Sequence, residues 1–102
     1  MGWPRFPLPE GHCYSNALHP RCHRGETLWE SLAISGAQRR LIHVWGRKEV
    51  RPSGDYDGAT MEAVGAVQRA VGLPVTGFLD EETWGVLWVG PPDQLTAPSS
   101  VD

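Results

Sequence analysis

Between residues 34 and 88 the apolar positions fall into three short runs with helical spacing. In the first, Ile34, Ala37, Leu41, Val44 and Trp45 recur at three- and four-residue steps, which leaves Arg39, Arg40 and His43 on the opposite face. Two capping-box patterns compete for its start, Thr27-Leu28-Trp29-Glu30 and Ser35-Gly36-Ala37-Gln38, and Gly46 supplies its stop. The second run places Ala63, Val64, Val67, Ala70 and Val71 on one stripe. Asp57 or Gly58 caps it, Tyr56 and Met61 are spaced as a hydrophobic staple, and Gly72-Leu73-Pro74 closes it. The third begins at Asp80, a capping residue followed by Glu81 and Glu82 in the positive first turn, with Leu79 spaced to staple onto Trp84 and with Leu87 and Trp88 continuing the buried side.

The flanks carry no such period. Residues 1–27 hold Pro4, Pro7, Pro9 and Pro20, a composition that resists helix and sheet pairing, and residues 91–102 read as a tail. The expected architecture is therefore all-α: a compact three-helix bundle over 28–90, an irregular proline-rich N-terminal arm over 1–27 and a C-terminal tail over 91–102. A chain of 102 residues suits one core.

Composition narrows the function. A formal charge of −3 and an isoelectric point near 5.7 remove the counterion-release term on which nucleic-acid binding depends, and Arg39, Arg40, Arg47, Lys48 and Arg51 make only a local cluster read as a solvated face. No apolar run reaches the roughly 20 residues of a membrane span, and the opening residues lack the apolar stretch of a signal peptide, so synthesis in a cytoplasm without an export signal of its own is expected.

The residues Gly58-Ala59-Thr60, Ala63-Val64, Val67-Gln68, Gly72-Leu73, Thr76-Gly77, Asp80, Thr83-Trp84 and Leu87 resemble the second and third helices of peptidoglycan-binding-like domains, and Ala37-Gln38-Arg39-Arg40-Leu41 resembles the opening segment. The resemblance spans about 34–88. Phe6-Pro7-Leu8-Pro9-Glu10-Gly11-His12 is similar to the lead-in of such domains in lysins and tail proteins of actinobacteriophages. The charged segment from Arg47 to Asp55 and the pair Cys13 and Cys22 depart from the pattern. The resemblance implies a non-catalytic module that holds peptidoglycan glycan or stem peptide in a shallow groove beside the second helix, carried in a bacteriophage particle or lysis system and acting in the virion or at the host wall after release. The alternative is a structural virion protein, a capsid decoration or tail component that binds other virion subunits through its two ends.

Almost every matched position has a structural reason of its own, so ligand residues must be sought elsewhere. Tyr56, Asp57, Arg69, Trp45 and Trp88 are the candidates, because the aromatic ones lie at helix ends or beside a cap and the charged ones on the second helix. Trp29 and Trp84 are read as core, and Gln38 and Gln68, each followed by Arg, as inter-helix hydrogen-bonding residues. The carboxylates lie in loops and caps without a paired base or nucleophile, so no enzyme activity is expected. His12, Cys13, His19, Cys22 and His23 hold enough nitrogen and sulfur for a zinc site, although the spacing matches no finger, and a Cys13–Cys22 disulfide is the competing reading. Neither zinc nor any other cofactor is favoured.

Overall fold

Thr27 opens the first helix: its hydroxyl accepts from the Glu30 amide at 3.1 Å, and α1 runs Leu28–His43. Of the two capping boxes the earlier one is used. The Glu30 carboxylate also meets His23 Nδ1, 2.8 Å away. Asp57 caps α2, Gly58–Val71, and Asp80 caps α3, Glu81–Val89, each through a carboxylate oxygen 2.9 Å from the amide three residues on. Gly72 closes α2 with a φ of 83°, and the Leu73 amide returns to Gln68 O at 2.9 Å. These elements come from a computed structural model that describes residues 5–16, 20–25 and 27–90. His19 and the tail expected over 91–102 lie outside the described residues.

The three helices pack on one centre built from Ile34, Ala37 and Leu41 of α1, Ala63, Val64 and Val67 of α2, and Trp84 and Leu87 of α3. The all-α bundle read from the sequence is thus the observed fold. Three details differ. Trp29 is not core: it is 79% exposed, because it lies five residues before Ile34, roughly 140° around the helix from the buried stripe. Ala70 is exposed at the margin of the α2 stripe, in the last turn. Arg40 does not face solvent with Arg39; it is half-buried against α3.

The larger correction concerns the arm. Cys13–Tyr14 (β1) and Cys22–His23 (β2) pair in parallel, Cys13 opposite Cys22 and Tyr14 opposite His23. Tyr14 and Leu79 exchange amide-to-carbonyl bonds of 2.9 Å in each direction, which ties the ribbon to the lead-in of α3. The prolines permit this because none falls on a paired position. The arm also completes the core: Phe6 and Tyr14 are buried, with Phe6 5.9 Å from the Tyr14 ring and 5.6 Å from Trp84. Three short helices leave one face of Trp84 and Leu79 uncovered, and burying each such aromatic stabilises by about 1.5–3 kcal/mol.

Two buried tyrosines give a paired test of this packing. The Tyr56 hydroxyl donates to Gly77 O at 2.6 Å, whereas the buried Tyr14 hydroxyl meets no partner among the described residues. In urea unfolding Tyr56→Phe is expected to cost about 1–2 kcal/mol and Tyr14→Phe to be neutral or stabilising, while Tyr14→Ala should cost about 3–5 kcal/mol. A silent Tyr14→Ala would place the arm outside the cooperative unit.

Candidate functional site

The α2 cap is where two of the five candidate ligand residues meet. Asp57 Oδ1 accepts from the Thr60 amide at 2.9 Å and from its hydroxyl at 2.7 Å. The Thr60 hydroxyl bond, followed by its amide and by the charge of Arg51, holds the Asp57 carboxyl below its ordinary value of 3.8. Beside this cap lies an open cavity of about 560 Å³ lined by Arg24, Gly25, Asp55, Tyr56 and Asp57. Tyr56 is only 2% exposed and its hydroxyl is spent on Gly77, so it forms the floor and offers no face for a sugar to stack on. That corrects its expected role as an aromatic contact. The lining carries both signs of charge, with Arg24 beside Asp55 and Asp57.

The remaining three candidates are elsewhere. Arg69 is exposed in the last turn of α2, roughly 18 Å along the axis from Asp57. Trp45 and Trp88 belong to the far end of the bundle, where they serve α3. Leu87 O accepts from Arg40 Nε at 2.9 Å and from Trp45 Nε1 at 3.1 Å, and Trp88 O accepts from Arg40 Nη2 at 2.6 Å. The last turn of α3 has no basic residue of its own, so α1 supplies the charge that its exposed carbonyls require. Arg40 then stacks on Trp88, 5.2 Å from the ring centroid. The five residues therefore do not form one groove.

Gln38 and Gln68, read as structural, are fully occupied. Gln38 Nε2 donates to Asp55 O and Thr60 Oγ1 and its Oε1 accepts from the Gly54 amide. Gln68 Oε1 accepts from the Thr76 and Gly77 amides, with Thr76 Oγ1, Phe78 O and Thr83 Oγ1 within reach of its Nε2.

The histidine and cysteine cluster is divided by the pleat of the ribbon. Residues opposite one another share a face and neighbours along a strand do not, so the thiols point one way and the imidazoles the other. Cys13 Sγ lies 3.4 Å from Cys22 Sγ, and His12 Nδ1 lies 2.9 Å from His23 Nε2. His23 thus bridges two partners, with its Nδ1 2.8 Å from the Glu30 carboxylate and its Nε2 on His12. No three His, Cys, Asp or Glu side chains among the described residues form a group that could hold a metal ion. His12 and Cys13 line a second cavity of about 600 Å³ with Phe6, Phe78 and the acidic start of α3. Burial, then the hydrogen bond and charge of Cys22, pushes the Cys13 thiol up to about 12, so little of it is thiolate at neutral pH while Cys22 is a free thiol beside it.

Sequence reasoning missed Arg24 and Gly25, which reach the first cavity just after β2, where Arg24 O accepts from the Tyr56 amide at 3.5 Å. It also missed an apolar groove of about 270 Å³ between α1 and α3, with Leu32, Ala33, Gly36, Trp84 and Trp88 in its walls.

Two stability measurements check these assignments. Arg40→Ala is expected to cost at least about 1.5 kcal/mol, whereas Arg39→Ala should stay within about 0.5 kcal/mol. Asp57→Ala should cost about 1 kcal/mol at neutral pH. Because the folded carboxyl titrates below its unfolded value, the Asp57 contribution is complete above pH 3.8 and fades as pH falls through the lower folded value. The wild-type advantage over Asp57→Ala should therefore shrink in acid, and a constant difference from pH 7 to pH 2 would contradict the charged cap.

No curated protein and no solved structure gives a significant match to the chain. The family described as Putative peptidoglycan binding domain matches residues 31–87, a span that holds all three helices from the second turn of α1 onward, both glutamine-held turns and most of the α2 cavity. With more than half of its residues inside that match, the chain belongs to the peptidoglycan-binding domain family.

Proposed function

We propose that this chain is a non-catalytic peptidoglycan-binding module that takes the peptide part of the polymer in the cavity at the start of α2. The observation that carries the reading is the family match together with a cavity whose lining includes residues of both charges. Stem peptides present carboxylates and amines a few bonds apart. Arg24 suits the former, and Asp55 and the outer part of the Asp57 carboxylate the latter. Of the sequence candidates this reading retains Asp57 and the Tyr56 floor, adds Arg24, Gly25 and Asp55, and releases Arg69, Trp45 and Trp88.

We further propose delivery by a bacteriophage particle or at host lysis, a reading supported by the resemblance of Phe6 to His12 to phage lead-in segments. Mass spectrometry of purified particles tests it. Presence in particles without affinity for the wall would favour a structural virion subunit instead.

Sedimentation with purified peptidoglycan tests the binding site. The wild-type protein is expected to pellet with the polymer, and Arg24→Glu or Asp55→Ala to weaken binding about tenfold or more while melting temperatures hold. A wild-type protein that stays in the supernatant would overturn the function. Unchanged pelleting of Arg24→Glu would overturn the cavity.

A further inference from the structure

The thiol pair lies outside the family-matched residues 31–87, in the part of the chain that holds the arm on the core. Cys13 and Cys22 stand directly opposite one another in β1 and β2, and their sulfurs are already 3.4 Å apart. Paired strands run about 4.8 Å apart, inside the Cα separation of about 4.4–6.8 Å that a disulfide accepts, and residues in register point their Cβ atoms the same way. The backbone is fixed on both sides of the pair: the Cys13 amide donates to Arg21 O at 3.0 Å and the Ser15 amide to His23 O at 2.9 Å. Closing the bond needs side-chain rotation and no strand movement.

We infer that Cys13 and Cys22 form an intramolecular disulfide in the presence of a low-molecular-weight disulfide oxidant, and that this bond staples the two strands of the N-terminal ribbon to each other. The inference is independent of what the module binds.

The two thiols have different parts. Cys22 is the more accessible, while Cys13 is buried and held protonated by its surroundings. The Cys22 thiolate therefore attacks one sulfur of the oxidant, here oxidised glutathione, forming a mixed disulfide and releasing one glutathione thiolate. Cys13 then gives its proton to solvent or to the released thiolate, and its sulfur attacks the Cys22 sulfur, expelling the second glutathione thiolate. Two protein thiols are oxidised to one disulfide, and one glutathione disulfide is reduced to two glutathione molecules.

The bond would close a loop whose ends lie nine positions apart and lock the face on which His12 meets His23 and Tyr14 meets the core. Such a constraint acts mainly by restricting the unfolded chain, so it stabilises without altering the folded contacts. A reducing compartment would leave the two strands of the ribbon joined by hydrogen bonds and packing alone, and an oxidising one would join them covalently.

The test uses the full chain, reduced and then incubated with oxidised glutathione, followed by intact-mass spectrometry and thermal melting. The expected product is a monomer that has lost the mass of two hydrogen atoms, carries no glutathione and melts about 10 °C above the reduced protein. Cys13→Ser should stop at a single stable glutathione adduct, and Cys22→Ser should form its adduct at least tenfold more slowly. Persistent adducts on the wild-type chain, disulfide-linked dimers or no reaction would overturn the site. A closed ring with an unchanged melting temperature would overturn the staple, and equal adduct rates in the two variants would overturn the order of attack. Because the wild-type comparison needs no substitution, it decides the question even where a serine variant fails to fold.

Discussion

Two buried glutamines hold this molecule to one conformation. Each lies inside a helix and reads the backbone of a turn that has no regular partner. Gln38 Oε1 receives the Gly54 amide at 2.8 Å and Gln68 Oε1 the Gly77 amide at 2.9 Å, and both glycines have positive φ. The turns can come this close because they lack Cβ atoms at these points. One on Gly77 would lie 2.8 Å from Met61 Cγ, and one on Gly54 would run into Ser31. A domain with only three short helices buries little apolar surface, so unsatisfied amides at the turn ends would cost a large share of its stability. The glutamine contacts also set the position of Thr60, Asp57 and Asp55, and hence the shape of the cavity at the start of α2.

The helices were legible from the sequence because their signals are local. Asp57 and Asp80 cap, Gly72 closes, and the apolar stripes of α1 and α2 follow a period that one sequence displays. Trp29 was misread for the opposite reason: its chemistry favours burial, but its angle around α1 does not, and that angle depends on which capping box is used. The arm was misread because a two-residue parallel ribbon has no period at all. Its pairing is decided by partners distant in sequence, Leu79 above all, which no local pattern announces.

The site was less legible than the fold. Tyr56 and Asp57 do border a cavity, yet the positive charge in its lining comes from Arg24, more than 30 residues earlier in the chain and brought near only by the fold. Trp45 and Trp88 have the composition of a sugar platform, but the carbonyls at the end of α3 need donors, and Arg40 and Trp45 meet that need first. Local satisfaction of backbone groups thus takes side chains that composition alone would assign to a ligand.

The dependence of the whole on its glutamines is tested most directly by the unfolding free energy of Gln68→Leu, which keeps apolar volume and removes every hydrogen bond that the Gln68 side chain makes to the 76–78 turn. A loss of about 2–4 kcal/mol is expected, with the native fold still populated. Stability within about 0.5 kcal/mol of the wild type would show that the turn holds itself, and that the glutamine contacts are a consequence of the fold.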